Sequence, residues 1–165
     1  MQPTDELRDK LKKIPLFKKI AEQPALLDRV IAVLEPRSIP KGRKIIGEGD
    51  TGEEMYILLK GEIEISRFTL EKESYTVAKL NDAMNIFFGE LALVDNDKRS
   101  ATVTALTDCE ILVLTRAKFL ELGRDHSDIG WNLALEIAAM VSGRLRKANE
   151  DSLVLFEALL NELKE

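Results

Sequence analysis

At 165 residues, with 45% hydrophobic and 32% charged side chains, the chain can bury its own core and is too apolar for a disordered segment. A net charge of −5 argues against a general nucleic-acid binder, which needs a basic face to displace counterions. No apolar run reaches the ~18 residues that suggest a membrane span, and the opening Met-Gln-Pro-Thr-Asp-Glu lacks a charged-then-apolar secretion pattern.

Thr4 is placed to cap a helix over residues 5–13, with Leu7, Leu11 and Ile14 on one side and Pro15 as its stop. Pro24 suits the first turn of a second helix over residues 24–34, which carries Leu27, Val30, Ile31 and Leu34. Pro36 and Pro40 bracket a change to strands. From residue 39 to about 120 short apolar runs alternate with turn residues. Met55-Tyr-Ile-Leu-Leu59, Ile63-Glu-Ile65 and Ala101-Thr-Val-Thr-Ala105 read as strands, with Gly42 and Lys60-Gly61 as turns. Residues 68–75, with Glu71-Lys72-Glu73, read as a solvated hairpin tip. Many short strands with frequent turns suggest a closed roll or sandwich. Cys109 is the only cysteine; it cannot form an internal disulfide, reads as a packed thiol and fits a reducing cytoplasm, the expected location.

Ser127 is expected to cap a last helix that starts at Asp128. Ala134, Ala138, Val141, Leu145, Ala148, Ser152, Leu155 and Leu159 form a coiled-coil-like seam along it. Continuous to Leu163, such a helix is roughly 50 Å long and overhangs a domain of this size, so its far half calls for a partner. A parallel homodimer is the expectation, with Gly143, which lowers helix propensity, as the candidate hinge.

The segment over residues 88–103, Phe-Gly-Glu-Leu-Ala-Leu-Val-Asp-Asn-Asp-Lys-Arg-Ser-Ala-Thr-Val, concentrates the chemistry. Glu90 follows Gly89 at the mouth of a turn; Arg99 and Ser100 come just before a strand. A carboxylate accepts from sugar hydroxyls, an arginine fork matches a phosphate, and a glycine lets a ligand approach the backbone. If residues 90–94 form a helical turn, its first N–H groups face an anion. Arg99 has alternatives, since Asp95, Asp97 and Glu90 are all candidate partners, and Glu90 alone reads as a surface carboxylate.

Other patterns fail. Gly47-Glu-Gly-Asp-Thr-Gly52 matches the dinucleotide fingerprint by letter, but a strand follows where a helix is required, so it reads as a turn. Asp95-Asn-Asp97 lacks the glycine and distal glutamate of a calcium loop. With His126 as the sole histidine, neither a metal site nor a nucleophilic triad has its ligands or base. No catalytic function and no metal are expected.

The 88–103 segment resembles the phosphate-binding cassette of cyclic nucleotide-binding domains. Residues 39–65 resemble the first half of the same roll, and residues 101–114 its closing hairpin. The resemblance implies an α+β fold: an antiparallel β-roll over residues 38–121, flanked by N-terminal helices (1–37) and a long C-terminal helix (127–165), in a single domain over 1–165. It implies that Arg99 grips a cyclic phosphate and that Glu90 accepts from the ribose 2′-hydroxyl. Gly89, Leu91 and Ala92 would offer backbone, and Ser100 its hydroxyl and N–H. Ile65, Val77 and Ala78 would lie near the purine, and Asn149 on the last helix would reach its edge. The implied ligand is cyclic AMP more than cyclic GMP, and the implied output is the last helix of a homodimer. No room remains after that helix for a recognition helix, so DNA binding by this chain alone is not expected. The alternative is a ligand-free dimerisation or scaffold module that retains the roll. Residues 80–87 lack the glycine turn usual before the cassette.

Overall fold

The computed structural model describes residues 2–95 and 97–163. Thr4 Oγ1 accepts from the Leu7 N–H at 3.3 Å and starts α1 (Asp5–Lys12). Pro15 ends it by opening a 3-10 turn (Pro15–Ile20), and Pro24 opens α2 (Pro24–Val33). Strands follow: β1 (Glu35–Ile39), β2 (Lys44–Ile46), β3 (Glu54–Lys60), β4 (Glu62–Phe68), β5 (Ser74–Asn81), β6 (Phe87–Phe88), β7 (Thr102–Ala105) and β8 (Cys109–Thr115). Two helices close the chain, α3 (Arg116–Asp125) and the 36-residue α4 (Ser127–Glu162).

The strands form two antiparallel sheets of four, in the orders β1-β8-β3-β6 and β2-β7-β4-β5. Between them lies an apolar interior with Ile46, Leu58, Ile63, Val103, Ile111 and Val113. A second cluster sits on the outer face of the first sheet, where Met55, Ile57, Leu112 and Leu114 meet Leu11, Phe17, Leu27 and Ile31 from the N-terminal helices. Ile129, Leu133 and Ile137 of α4 join the same cluster. Strands β3 and β8 are thus covered on both faces, which is why Met-Tyr-Ile-Leu and Ile-Leu-Val-Leu run apolar without alternation.

Four expectations need correction. Residues 101–114 are not a hairpin: β7 pairs with β2 and β4, while β8 pairs with β1 and β3, so the connection crosses between sheets. The strands begin at Glu35 because Pro36 lies on the edge strand β1, where a missing N–H is tolerated. Residues 116–125 form a helix, capped by Thr115 Oγ1 on the Lys118 N–H at 3.3 Å, which the short Phe119/Leu122 pattern left unmarked. Finally, α4 starts one residue early, with His126 rather than Ser127 at the cap position. A β-carbon at Gly130 would lie 2.6 Å from Gly123 Cα, so the backbones of α3 and α4 touch at that point.

Candidate functional site

The cassette enters from β5 through a short 3-10 turn (Asp82–Met84) whose cap, Asn85, takes φ +51°. Asparagine tolerates this left-handed state, so it supplies the bend for which the sequence has no glycine. Strand β6 then leads to Gly89 at φ +77° and the 3-10 turn Glu90–Leu93. The Ala92 N–H closes that turn on Gly89 O at 3.2 Å. A β-carbon at Gly89 would stand 2.9 Å from Arg99 Nη1 and 3.1 Å from Glu54 O.

Arg99 is held by carbonyls. Nη2 donates to Glu54 O at 2.7 Å and Nη1 to Gly89 O at 3.2 Å. Among the described residues it forms no ion pair, so Asp95, Asp97 and Glu90 are not what fixes it. Glu90 is only 3% exposed and accepts from Arg144 Nη1 of α4 at 2.5 Å. Its carboxylate is therefore a buried charge satisfied from the long helix.

Two adjoining cavities of about 190 and 300 Å³ share Gly89, Glu90, Arg99, Ser100 and Arg144. Leu91 and Ala92 line the first; Ile46, Ile65, Leu80, Phe87, Phe88 and Val103 line the second. One end is thus charged and the other apolar. Val77 and Ala78 line neither cavity. The β4–β5 register shifts between Ile65 and Ser66, which pair with Ala78 and Thr76, so Val77 is the extra residue of a bulge and is 53% exposed. Asn149 also lines neither; it lies five residues beyond Arg144, about 140° round the helix, and is exposed.

Behind Arg99 stands a second charged group. Arg37 donates to both Glu54 carboxylate oxygens at 2.9 Å, and the Tyr56 hydroxyl donates to Oε2 at 2.7 Å. The Arg37 bonds hold the Glu54 carboxyl below its ordinary value. Burial, helped by the bond to Glu54, pushes Tyr56 up to about 12. The Tyr56 ring stacks on Phe88, 5.3 Å between centroids, and so braces the wall of the larger cavity.

Sequence reading missed Arg144. The signal was present: Ile129, Leu133, Ile137 and Met140 form a stripe facing the core, and Arg144 falls where its next apolar member belongs. An arginine ending a buried stripe calls for a buried acid.

Residues 36–126 match the family described as the cyclic nucleotide-binding domain. The chain is 33% identical over 154 residues to a cyclic AMP receptor protein of Thermus thermophilus, across 93% of this chain and 68% of the relative. It is 32% identical to a cyclic nucleotide-gated potassium channel of Rhizobium etli, across 70% of this chain and 30% of the channel. The crystal structure of the Thermus thermophilus catabolite activator protein superposes with a TM-score of 0.75 at 31% identity, across 86% of this chain and 62% of that one. The chain therefore spans roughly two thirds of the receptor and under a third of the channel. The two-sheet roll, the cassette geometry and these likenesses agree: the chain belongs to the cyclic nucleotide-binding domain family.

Proposed function

We propose that this chain is a regulatory module that binds a cyclic purine nucleotide, cyclic AMP in preference to cyclic GMP, and signals through α4. One observation carries the reading: the buried carboxylate of Glu90 and the carbonyl-held guanidinium of Arg99 line a single cavity whose other end is apolar. Arg99 and Ser100 take the cyclic phosphate, Glu90 the ribose 2′-hydroxyl, and Ile65 with Leu80 and Val103 the base. Leu91 supplies backbone at the cassette turn. Three or four charge-assisted hydrogen bonds and a buried base reach roughly 8 kcal/mol, a micromolar dissociation constant. The preference for cyclic AMP draws support from the names of relatives, which include a cyclic AMP receptor protein and a cAMP-dependent protein kinase regulatory subunit.

Arg144 is the path to α4. A nucleotide that donates a hydroxyl to Glu90 shares that carboxylate with Arg144, so it interacts differently with positions of the helix that keep or withdraw the arginine. Differential affinity of that kind is what shifts a two-state equilibrium. The exposed Leu145, Leu155 and Leu159 of α4 support a homodimer through this helix.

Isothermal titration of stripped protein with cyclic AMP and cyclic GMP tests the binding. Micromolar cyclic AMP binding that Arg99→Ala abolishes is the expected result; no heat with either nucleotide overturns it. A second reading, a ligand-free scaffold, is favoured by the fact that Glu90 and Arg99 already have protein partners. A thermal midpoint that neither nucleotide raises supports that scaffold, because a ligand of the folded state must raise it by mass action.

A further inference from the structure

The loop over residues 47–52 does more than reverse the chain. Its backbone is bonded to Arg99 through both main-chain polar groups of that residue: the Arg99 N–H donates to Asp50 O at 2.8 Å, and the Gly49 N–H donates to Arg99 O at 2.9 Å. At the end of the loop the guanidinium presses on Gly52. A β-carbon there would lie 2.8 Å from Arg99 Nη2, 3.0 Å from Nε and 3.3 Å from Cζ, its three nearest neighbours. Gly52 does not have a positive φ, so its backbone conformation does not demand glycine. The space occupied by the guanidinium does.

We propose that Gly52 is a positioning residue for Arg99. Its missing side chain leaves a slot that keeps Nη2 on Glu54 O, 2.7 Å away, and Nη1 on Gly89 O, 3.2 Å away, before any anion arrives. A free arginine loses rotamer freedom when it grips an anion; one already held in a slot lost that freedom on folding. Loop and guanidinium act as one unit, with the peptide clamp setting the root of the side chain and Gly52 setting its tip. The effect on affinity rests on the reading of Arg99 as the phosphate-gripping residue; the position of the guanidinium does not.

The test is Gly52→Ala, made alone and on an Arg99→Lys background. In a ligand-free crystal structure of Gly52→Ala, Nη2 is expected beyond hydrogen-bond reach of Glu54 O; an unmoved guanidinium overturns the proposal. In titrations with cyclic AMP, Gly52→Ala is expected to bind about tenfold more weakly, as for one lost charge-assisted hydrogen bond. On the Arg99→Lys background, which has no guanidinium to displace, the same change is expected to alter affinity by less than about twofold. Equal losses on both backgrounds overturn the proposal. If the wild-type protein takes up no cyclic nucleotide, the nucleotide reading fails and the ligand-free arm alone decides the role of Gly52. Should Gly52→Ala not fold, guanidinium NMR of the wild type decides instead. A separate Arg99 Nε–H signal supports a held side chain, and one averaged with exposed arginines overturns it.

Discussion

Arg144 Nη1 and Glu90 Oε1 lie 2.5 Å apart across 54 residues of chain, the arginine side chain 61% exposed and the glutamate side chain 4%. The acid is therefore the dependent partner, because it is by far the more buried of the two. Arg144→Ala is expected to cost about 1–2 kcal/mol in urea unfolding, the low end for a stranded buried charge because the pair opens to solvent. Adding Glu90→Gln should return most of that loss. Equal stability of wild type and Arg144→Ala would show that the contact holds nothing.

Tyr56 makes a prediction at high pH. Its folded-state value is raised to about 12 from 10.0 by burial and by Glu54. The folded state therefore holds this proton more tightly than the unfolded state. Its contribution to stability is complete below pH 10 and is lost as pH rises through about 12. Absorbance titration should show a late phenolate step that Tyr56→Phe removes, and the alkaline fall in stability should become shallower in that variant.

Two helix glycines should respond in opposite directions. At Gly130 a β-carbon meets the Gly123 backbone at 2.6 Å, whereas at Gly143 nothing lies within 4 Å. Gly130→Ala is expected to destabilise by about 1–3 kcal/mol, since backbone must move. Gly143→Ala should stabilise by about 0.5–1 kcal/mol, since the site is an open helix interior. Thermal unfolding of the two variants reads both signs.

The distal half of α4 supplies the last test. Leu155 and Leu159 are 66% and 58% exposed in the single chain. Light scattering of the wild type is expected at twice the protomer mass, and Leu155→Lys with Leu159→Lys at the protomer mass. A wild type that runs as a monomer removes the dimer.

Much of this was legible in the residues, and the reasons for the exceptions are physical. Pro15 and Pro24 marked helix boundaries because proline acts locally, and the cassette stood out because Gly89, Glu90, Arg99 and Ser100 are close in sequence. What escaped was non-local. The partner of Glu90 comes from α4, and the acceptors for Arg99 are backbone carbonyls, one on β3 and one at Gly89, which no side-chain pattern encodes. Strand runs such as Thr102–Ala105 were visible, but not the sheet each would join, because pairing depends on how the roll closes. Val77 lines neither cavity because it is the extra residue of a one-residue bulge, which no side-chain pattern announces.

The backbone contact between Gly123 and Gly130 has a mechanical consequence. It pins the near end of a stiff rod, with Arg144 about 21 Å from the pin and residue 162 about 48 Å from it. Were the rod to pivot there, a sideways displacement of ~1 Å at Arg144 would grow to ~2 Å at the far tip. The leverage comes from the ratio of the two arms, so shortening the rod beyond residue 150 would shrink the stroke while leaving the cassette untouched.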